Sequence, residues 1–334
     1  MMQPEQPAGA KTPTRIIIIG VGGAGKRVLC RLAKKTITGA QYVVCNADIR
    51  SLDLCPANVA TIQMGQYDRS SWYRGEFNPE TGRQMAEMPW FKRDLKGHVK
   101  NADLVILAAG MGGVVGGGAS PVIARTIKET SAFLLAFVTT PFSFEGQKRR
   151  QEAAEAVQCL GAHVDNMIVI DDDRTLQDTD KDATIAHVFS VVDEVMGKGI
   201  LSVVEPLNVP DTINTDFTEV KKVMRIPGRA VMAIGKGSRP ECPVMDAATN
   251  ALASPLAEAD LSGAKGLLLS FRGGPNIGLG EYNEALTFIA SKVKPDAPLV
   301  FGISYDKELR TVVDLTLIAT GIEPQPRGLL RRAK

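Results

Sequence analysis

The chain has 334 residues, 44% hydrophobic and 23% charged, which fits two domains or one large α/β unit of ordinary globular composition. Its 39 basic and 37 acidic side chains leave a net charge of +2, so no basic field marks a nucleic-acid partner and none is expected. No apolar run reaches the roughly 20 residues that a membrane-spanning helix requires.

Residues 1–14, MMQPEQPAGAKTPT, lack the apolar core of a signal peptide and read as a disordered leader, which predicts a cytoplasmic protein. RIIIIG at 15–20 is a β-branched apolar run ending in glycines, the pattern of a buried parallel strand. Helical spacing follows at 26–35. YVVCNAD at 42–48 and ADLVILAAG at 102–110 read as strands, 120–130 as a helix, FLLAFVTTPF at 133–142 as a strand, 145–161 as a helix and NMIVIDDD at 166–173 as a strand. This alternation predicts a doubly wound, mostly parallel α/β sheet with ligands beyond the carboxyl ends of its strands. Those ends are GVGGAG, NAD, AAGMGG, TTPF and DDD. A long central helix is expected over 184–207. A second, mixed α+β domain over 208–322 follows, with strands near 228–237, 263–274, 298–306 and 310–321 and helices at 243–253 and 280–293. The nucleotide-binding domain is placed at 15–183 and a basic, frayed tail at 323–334. The five cysteines, Cys30, Cys45, Cys55, Cys159 and Cys242, form no C-x-x-C pair and read as reduced thiols. His98, His163 and His187 are scattered, so no metal site is expected.

GVGGAG at 20–25 fits G-x-G-x-x-G between a strand and a helix, where glycine lets backbone N–H groups approach phosphate. The same residues spell G-x-x-x-x-G-K, but Arg27 stands where a P-loop needs Ser or Thr. An NAD site remains open, with Asp48 as the ribose acid of an oxidoreductase. Against it stands a second glycine-rich loop, AGMGGVVGGGASP at 109–121, carrying Gly110, Gly112, Gly113, Gly116, Gly117 and Gly118. Two such loops on one sheet suggest a polyphosphate gripped from both sides.

With these motifs in order, the chain resembles the FtsZ/tubulin family from about residue 15 to 322. GVGGAG resembles the family's first phosphate loop and NAD at 46–48 its N-T-D. AGMGGVVGGGASP resembles A-G-M-G-G-G-T-G-T-G-A-A-P, and TTPFSFEGQKRR at 139–150 resembles R-P-F-x-F-E-G-x-K-R. INTDFTEVKKVM at 213–224 resembles I-N-L-D-F-A-D-V-K. The resemblance implies a cytoskeletal protein, of the kind that serves cell division, assembling head to tail with GTP or GDP at the subunit joint and Mg²⁺ accompanying GTP. It assigns the nucleotide to Gly20, Gly22, Gly23, Ala24, Gly25, Asn46, Asp48, Gly110, Gly112, Gly113, Gly116, Gly117, Gly118, Glu145, Arg149 and Asp172. Phe189 and Asp193 would read guanine by stacking and by accepting from its N–H groups. Asn214, Asp216 and Glu219 would act catalytically on the neighbour's nucleotide. Asp216 and Glu219 equally suit an ordinary helix N-terminus.

Several positions depart from the family pattern. Val114 replaces a glycine, Val115 and Gly117 replace threonines, and Lys26 stands for the usual Asn. Val114 is expected to resist a glycine's positive φ. Arg74, Gly75, Glu76 and Phe77 replace the small residues of the γ-phosphate loop. Asp171 and Asp172 replace Pro and Asn, adding negative charge beside the nucleotide. These changes predict a degenerate site with weak or absent GTP binding and slow turnover. Partners implied are the protein itself, a full-length FtsZ, and a weak contact of RGLLRRAK with anionic membrane. By this resemblance the chain is expected to be a member lacking the usual C-terminal linker and adaptor-binding peptide. The rival readings are a functional GTPase with modest assembly and the NAD-dependent oxidoreductase.

Overall fold

A computed structural model describes residues 13–35, 37, 39–65, 78–176, 182–208, 213, 215–257 and 261–323. Six parallel strands come first: β1 (Ile16–Val21), β2 (Ala40–Asn46), β3 (Val59–Gln63), β4 (Leu104–Gly110), β5 (Phe133–Thr140) and β6 (Asn166–Asp171). Their order is β3-β2-β1-β4-β5-β6. It reverses between β1 and β4, and the crevice at such a reversal is where open α/β sheets bind ligands. Strands β7 (Arg229–Gly237), β8 (Gly266–Gly273), β9 (Leu299–Tyr305) and β10 (Val313–Ile322) continue the sheet as β7-β10-β8-β9. The β7–β10 and β10–β8 pairs are antiparallel, the β8–β9 pair parallel, and one residue pair, Ile168 with Ala230, joins the two halves.

Helices α1 (Gly22–Leu32) and α2 (Ile49–Leu52) follow β1 and β2. Next come α3 (Pro79–Glu87), α4 (Pro89–Val99), α5 (Val114–Ile127), α6 (Gln147–Gly161) and α7 (Asp172–Thr175). The central helix is α8 (Ile185–Asn208), and α9 (Phe217–Met224), α10 (Pro243–Leu252) and α11 (Leu279–Ala290) complete the set. The strand β1 feeds both faces because successive side chains point opposite ways. Ile16 and Ile18 join a core with Leu29 of α1 and Ile200 and Val203 of α8. Ile17, Ile19 and Val21 join a second core with Phe91 of α4, Ile123 of α5 and Leu160 of α6. A third core lies beneath the second half-sheet, around Phe271, Tyr282 and Ile289. Among the described residues no helix is long and apolar enough to cross a membrane.

Local chemistry sets several boundaries. The Asn78 side chain accepts from the Thr81 backbone N–H, the Thr81 hydroxyl returns to the Asn78 N–H, and Pro79 opens α3. The Asp216 carboxylate accepts from the Thr218 N–H at 2.8 Å and caps α9.

The mostly parallel α/β sheet, the long helix and the mixed second half agree with the sequence reading. The start of α5 differs from that reading. The stretch 109–121 is not a loop throughout: α5 begins at Val114, so Gly116, Gly117 and Gly118 lie in its first turns. They are glycine because the helix packs backbone to backbone. A Cβ on Gly118 would lie 2.0 Å from the Pro79 carbonyl oxygen, and a Cβ on Gly82 would lie 1.9 Å from that of Val114. No side chain fits between α3 and α5 at these points.

Candidate functional site

The first glycine turn closes around Gly22, whose φ of +70° favours glycine. Gly20 lies in β1, which is buried along its whole length, and a Cβ there would meet the Gly25 carbonyl oxygen at 2.6 Å. One on Gly25 would lie 2.3 Å from the Ala108 carbonyl oxygen of β4. The second turn has its left-handed residue at Gly112, with φ of +78°. Val114 opens α5 and is not among the positive-φ residues, so the strain expected of it does not arise. The two turns touch: a Cβ on Gly22 would come within 3.1 Å of the Gly116 N, and one on Gly110 within 2.9 Å of the Ala24 Cβ. Gly116 itself sits over the Gly110 carbonyl oxygen, and Gly117 over the Gly112 N. Two positions face open space instead. Gly113 has nothing within 4 Å of an added Cβ, and Gly23 has only Arg27 Nη1, at 4.0 Å. The predicted glycines thus divide into those that permit close backbone packing, within each turn, between the two turns and between α5 and α3, and two, Gly23 and Gly113, that face open space.

The rim residues are anchored by local bonds. The Asn46 Oδ1 accepts from the Ala47 N–H at 2.8 Å, and its Nδ2 donates to the Ser51 hydroxyl. Asp48 caps α2 through the Arg50 N–H and lies 3.7 Å from the Arg50 Nε. Glu145 accepts from the Phe142 N–H at 3.0 Å and pairs with Arg149 Nε at 3.2 Å. The Arg149 backbone carbonyl packs against Gly112.

Asp171 and Asp172 do not supply two bare charges. Asp171 caps α7, accepting from the Asp173 N–H, and pairs with Arg174. Asp172 is 5% exposed, and its Oδ1 has no hydrogen-bond partner. Burial, reinforced by Glu145 and then Asp171, pushes its carboxyl up to about 8, against the Thr139 hydroxyl that pulls it down. Asp172 is therefore mostly neutral at physiological pH. Because its folded pKa lies above the ordinary 3.8, its contribution to stability is complete below about pH 4 and is lost as the pH rises through about 8. Asp172→Asn removes this dependence. Urea unfolding of both proteins at about pH 5 and about pH 9 is expected to show a variant that gains about 4 kcal/mol on the wild type between the two conditions. Parallel behaviour would contradict the assignment.

Phe189 and Asp193, one turn apart near the start of α8, meet the first turn through Arg27, which the sequence reading weighed only as the residue that breaks a P-loop pattern. The Arg27 Nε donates to Asp193 Oδ2 at 2.8 Å and its Nη2 to Oδ1 at 3.2 Å. The same guanidinium lies 5.3 Å from the centroid of the Phe189 ring, and Phe189 meets Phe142 edge to face at 5.8 Å. The Asp193 side chain is 7% exposed; burial raises its pKa, and Arg27 opposes that rise. The only sequence signal for Arg27 was that it follows the first turn by two residues, and its partner lies 166 positions away.

The residues given catalytic roles stand elsewhere. Asn208, the last residue of α8, bonds through its side chain to both the N–H and the carbonyl of Thr14, just before β1 begins. Asp193 bonds to Arg27 in the second turn of α1, and Phe189 meets Phe142, two residues past the carboxyl end of β5. The central helix therefore runs from the carboxyl edge of the sheet to its opposite edge, about 22 Å from Asp193 to Asn208 at 1.5 Å per residue. Asp216 and Glu219 are exposed beyond that far end, where Thr215 donates from its N–H to Pro206 and from its hydroxyl to Phe301. Within one molecule they do not meet the glycine turns. Asn214 and the substituted stretch Arg74–Phe77 lie outside the described residues, as do residues 1–12 and 324–334.

Residues 15–180 match the GTPase-domain model of the Tubulin/FtsZ family, and residues 228–323 match the FtsZ family C-terminal domain. The chain is similar to an empty FtsZ dimer from M. jannaschii at 30% identity, covering 93% of this chain and 89% of that one, with a TM-score of 0.84. It is similar at 31% identity to a point mutant of M. jannaschii FtsZ, covering 93% and 92%, also with a TM-score of 0.84. CetZ2 from Haloferax volcanii, a GTPγS-bound protofilament, shares the fold at 19% identity over 94% of this chain and 95% of that one, with a TM-score of 0.73. With the paired glycine turns at the reversal of strand order and both family domains matched in sequence, the chain belongs to the tubulin/FtsZ family as an FtsZ-like member.

Proposed function

We propose that this protein is a cytoplasmic FtsZ-like filament former that stacks head to tail. In this reading a degenerate GTP site lies at each subunit joint and turns over slowly. What supports the reading is that two sets of residues lie at opposite ends of α8. The glycine turns, Phe189 and Asp193 lie at one end, and Asp216 and Glu219 at the other. Each set is completed by a second copy translated along the helix axis, a heterologous contact that repeats without closing. The similarity to an FtsZ dimer and to a CetZ2 protofilament is consistent with such stacking.

The degeneracy rests on the altered residues. Val115 and Gly117 stand at the two threonine positions of the family signature, removing two hydroxyls worth about 0.5–1.5 kcal/mol each when hydrogen-bonded. Arg27 already occupies both oxygens of Asp193. Gly23 and Gly113 are where backbone N–H groups would meet phosphate, with Mg²⁺ accompanying GTP when it binds. Asp48, on which a dinucleotide reading depends, is engaged in capping its own helix.

Sedimentation and negative-stain microscopy across a concentration series, without nucleotide, with GDP and with GTP, test the proposal. Filaments are expected to appear above a threshold protein concentration, with little dependence on GTP and slow phosphate release. Protein that stays monomeric throughout, or that assembles only with GTP and releases phosphate briskly, would refute it.

A further inference from the structure

The base-reading carboxylate of this site is already in use. Guanine presents a parallel pair of N–H donors, from its ring nitrogen and its amino group, and a carboxylate reads guanine by accepting both. The Arg27 guanidinium carries the same parallel pair, and it holds both oxygens of Asp193 at 2.8 and 3.2 Å. Such a fork-to-carboxylate match is charge-assisted and stronger than a neutral base could make. The carboxylate is almost wholly buried, and the guanidinium also lies over the Phe189 ring, the surface on which a base would stack. For guanine to bind Asp193, it must displace an ion pair and leave Arg27 to find another partner. One donor pair is exchanged for another, and the gain that separates guanine from other bases cancels. If Arg27 stays, its Nη1, which takes no part in the Asp193 pair and lies 4.0 Å from a Cβ placed on the open Gly23, is left as a donor. Ring nitrogens and carbonyl oxygens of either purine can accept from it.

We propose that Arg27 is a specificity-determining residue that masks Asp193, so that the site takes purine nucleoside triphosphates with little preference between guanine and adenine. The inference rests on the nucleotide-site reading above and deepens it. Specificity is a difference of two affinities, and here one residue removes the difference without being part of the phosphate cradle.

Equilibrium binding of GTP and ATP to the full chain, to Arg27→Ala, to Arg27→Gln, to Asp193→Asn and to the Arg27→Ala/Asp193→Asn double variant tests it. The wild type is expected to bind the two nucleotides within about tenfold of each other. Arg27→Ala, and to a lesser degree Arg27→Gln, is expected to tighten GTP by about tenfold or more while changing ATP by less than about threefold. Asp193→Asn alone is expected to leave the ratio unchanged, and in the double variant the gain should disappear. A wild type that prefers GTP by more than about a hundredfold, or an unchanged ratio in both Arg27 variants, would overturn the inference and leave the nucleotide site standing. Failure of every variant to bind either nucleotide would overturn both.

Discussion

Gly25→Ala is expected to destabilise the protein severely, while Gly23→Ala, two residues away in the same motif, leaves it as stable or more so. A methyl at Gly25 would sit 2.3 Å from the Ala108 carbonyl oxygen and 2.8 Å from the Gly20 carbonyl carbon, all backbone atoms of adjacent central strands. Neither can give way without separating α1 from β1 and β4, so the cost should be about 3 kcal/mol or more. At Gly23 the nearest atom is the tip of the Arg27 side chain at 4.0 Å, and the residue lies within α1 at an ordinary φ. Alanine there relieves a helical glycine and should add up to about 1 kcal/mol. The side chain would still stand where phosphate approaches, so Gly23→Ala should weaken nucleotide binding without harming the fold. Urea midpoints and GTP affinity, measured on both variants, check this. Equal loss of stability in the two would show that the turn is packed differently.

Asp216→Asn is expected to leave the fold intact and to remove assembly-linked GTP hydrolysis. Asp216 caps α9 by accepting from the Thr218 N–H, a role that asparagine performs as well. Asparagine cannot supply the negative charge that would orient or polarise an attacking water in the neighbour's cradle. The turnover measured under assembly conditions should fall by about a hundredfold, with the urea midpoint unchanged. Asp216→Ala should lose the same activity and, in addition, about 1 kcal/mol of stability from the missing cap. If Asp216→Asn keeps its turnover and only Asp216→Ala is impaired, the residue is a cap and nothing more.

Much of this fold is legible in the sequence because its strands are short apolar runs that end in glycine or aspartate. IIIIGV, LVILAAG and FLLAFVTT announce buried parallel strands, and the observed bounds fall within a few residues of those read. β3 was missed: VATIQ is brief, half exposed and lies at the sheet edge, where one face needs no apolar side chain. The start of α5 was misplaced because glycine signals a loop in sequence. Here Gly116 and Gly118 are helical glycines chosen for contact with Gly110 and Pro79, and sequence alone does not display that contact. The same limit hid Arg27. A basic residue early in a helix reads as a solvated charge, and only the folding of α8 across α1 reveals that it faces Asp193. Asp172 was legible as an acid but not as a neutral one, because its protonation follows from burial and from Glu145 and Asp171 beside it.

The claim on which the rest depends is that the glycine turns of one copy face the Asp216–Glu219 end of the next. Cysteine crosslinking tests it without requiring catalysis. Gly113 has open space for a side chain at an ordinary φ, Glu219 is exposed, and the exposed Cys159 is replaced by serine to lower background. A protein carrying both Gly113→Cys and Glu219→Cys, treated with a short bifunctional maleimide under assembly conditions, should give a ladder of covalent multimers, while either single variant stays monomeric. Dimers formed by Gly113→Cys alone, or no ladder from the double variant when filaments are present, would contradict head-to-tail stacking.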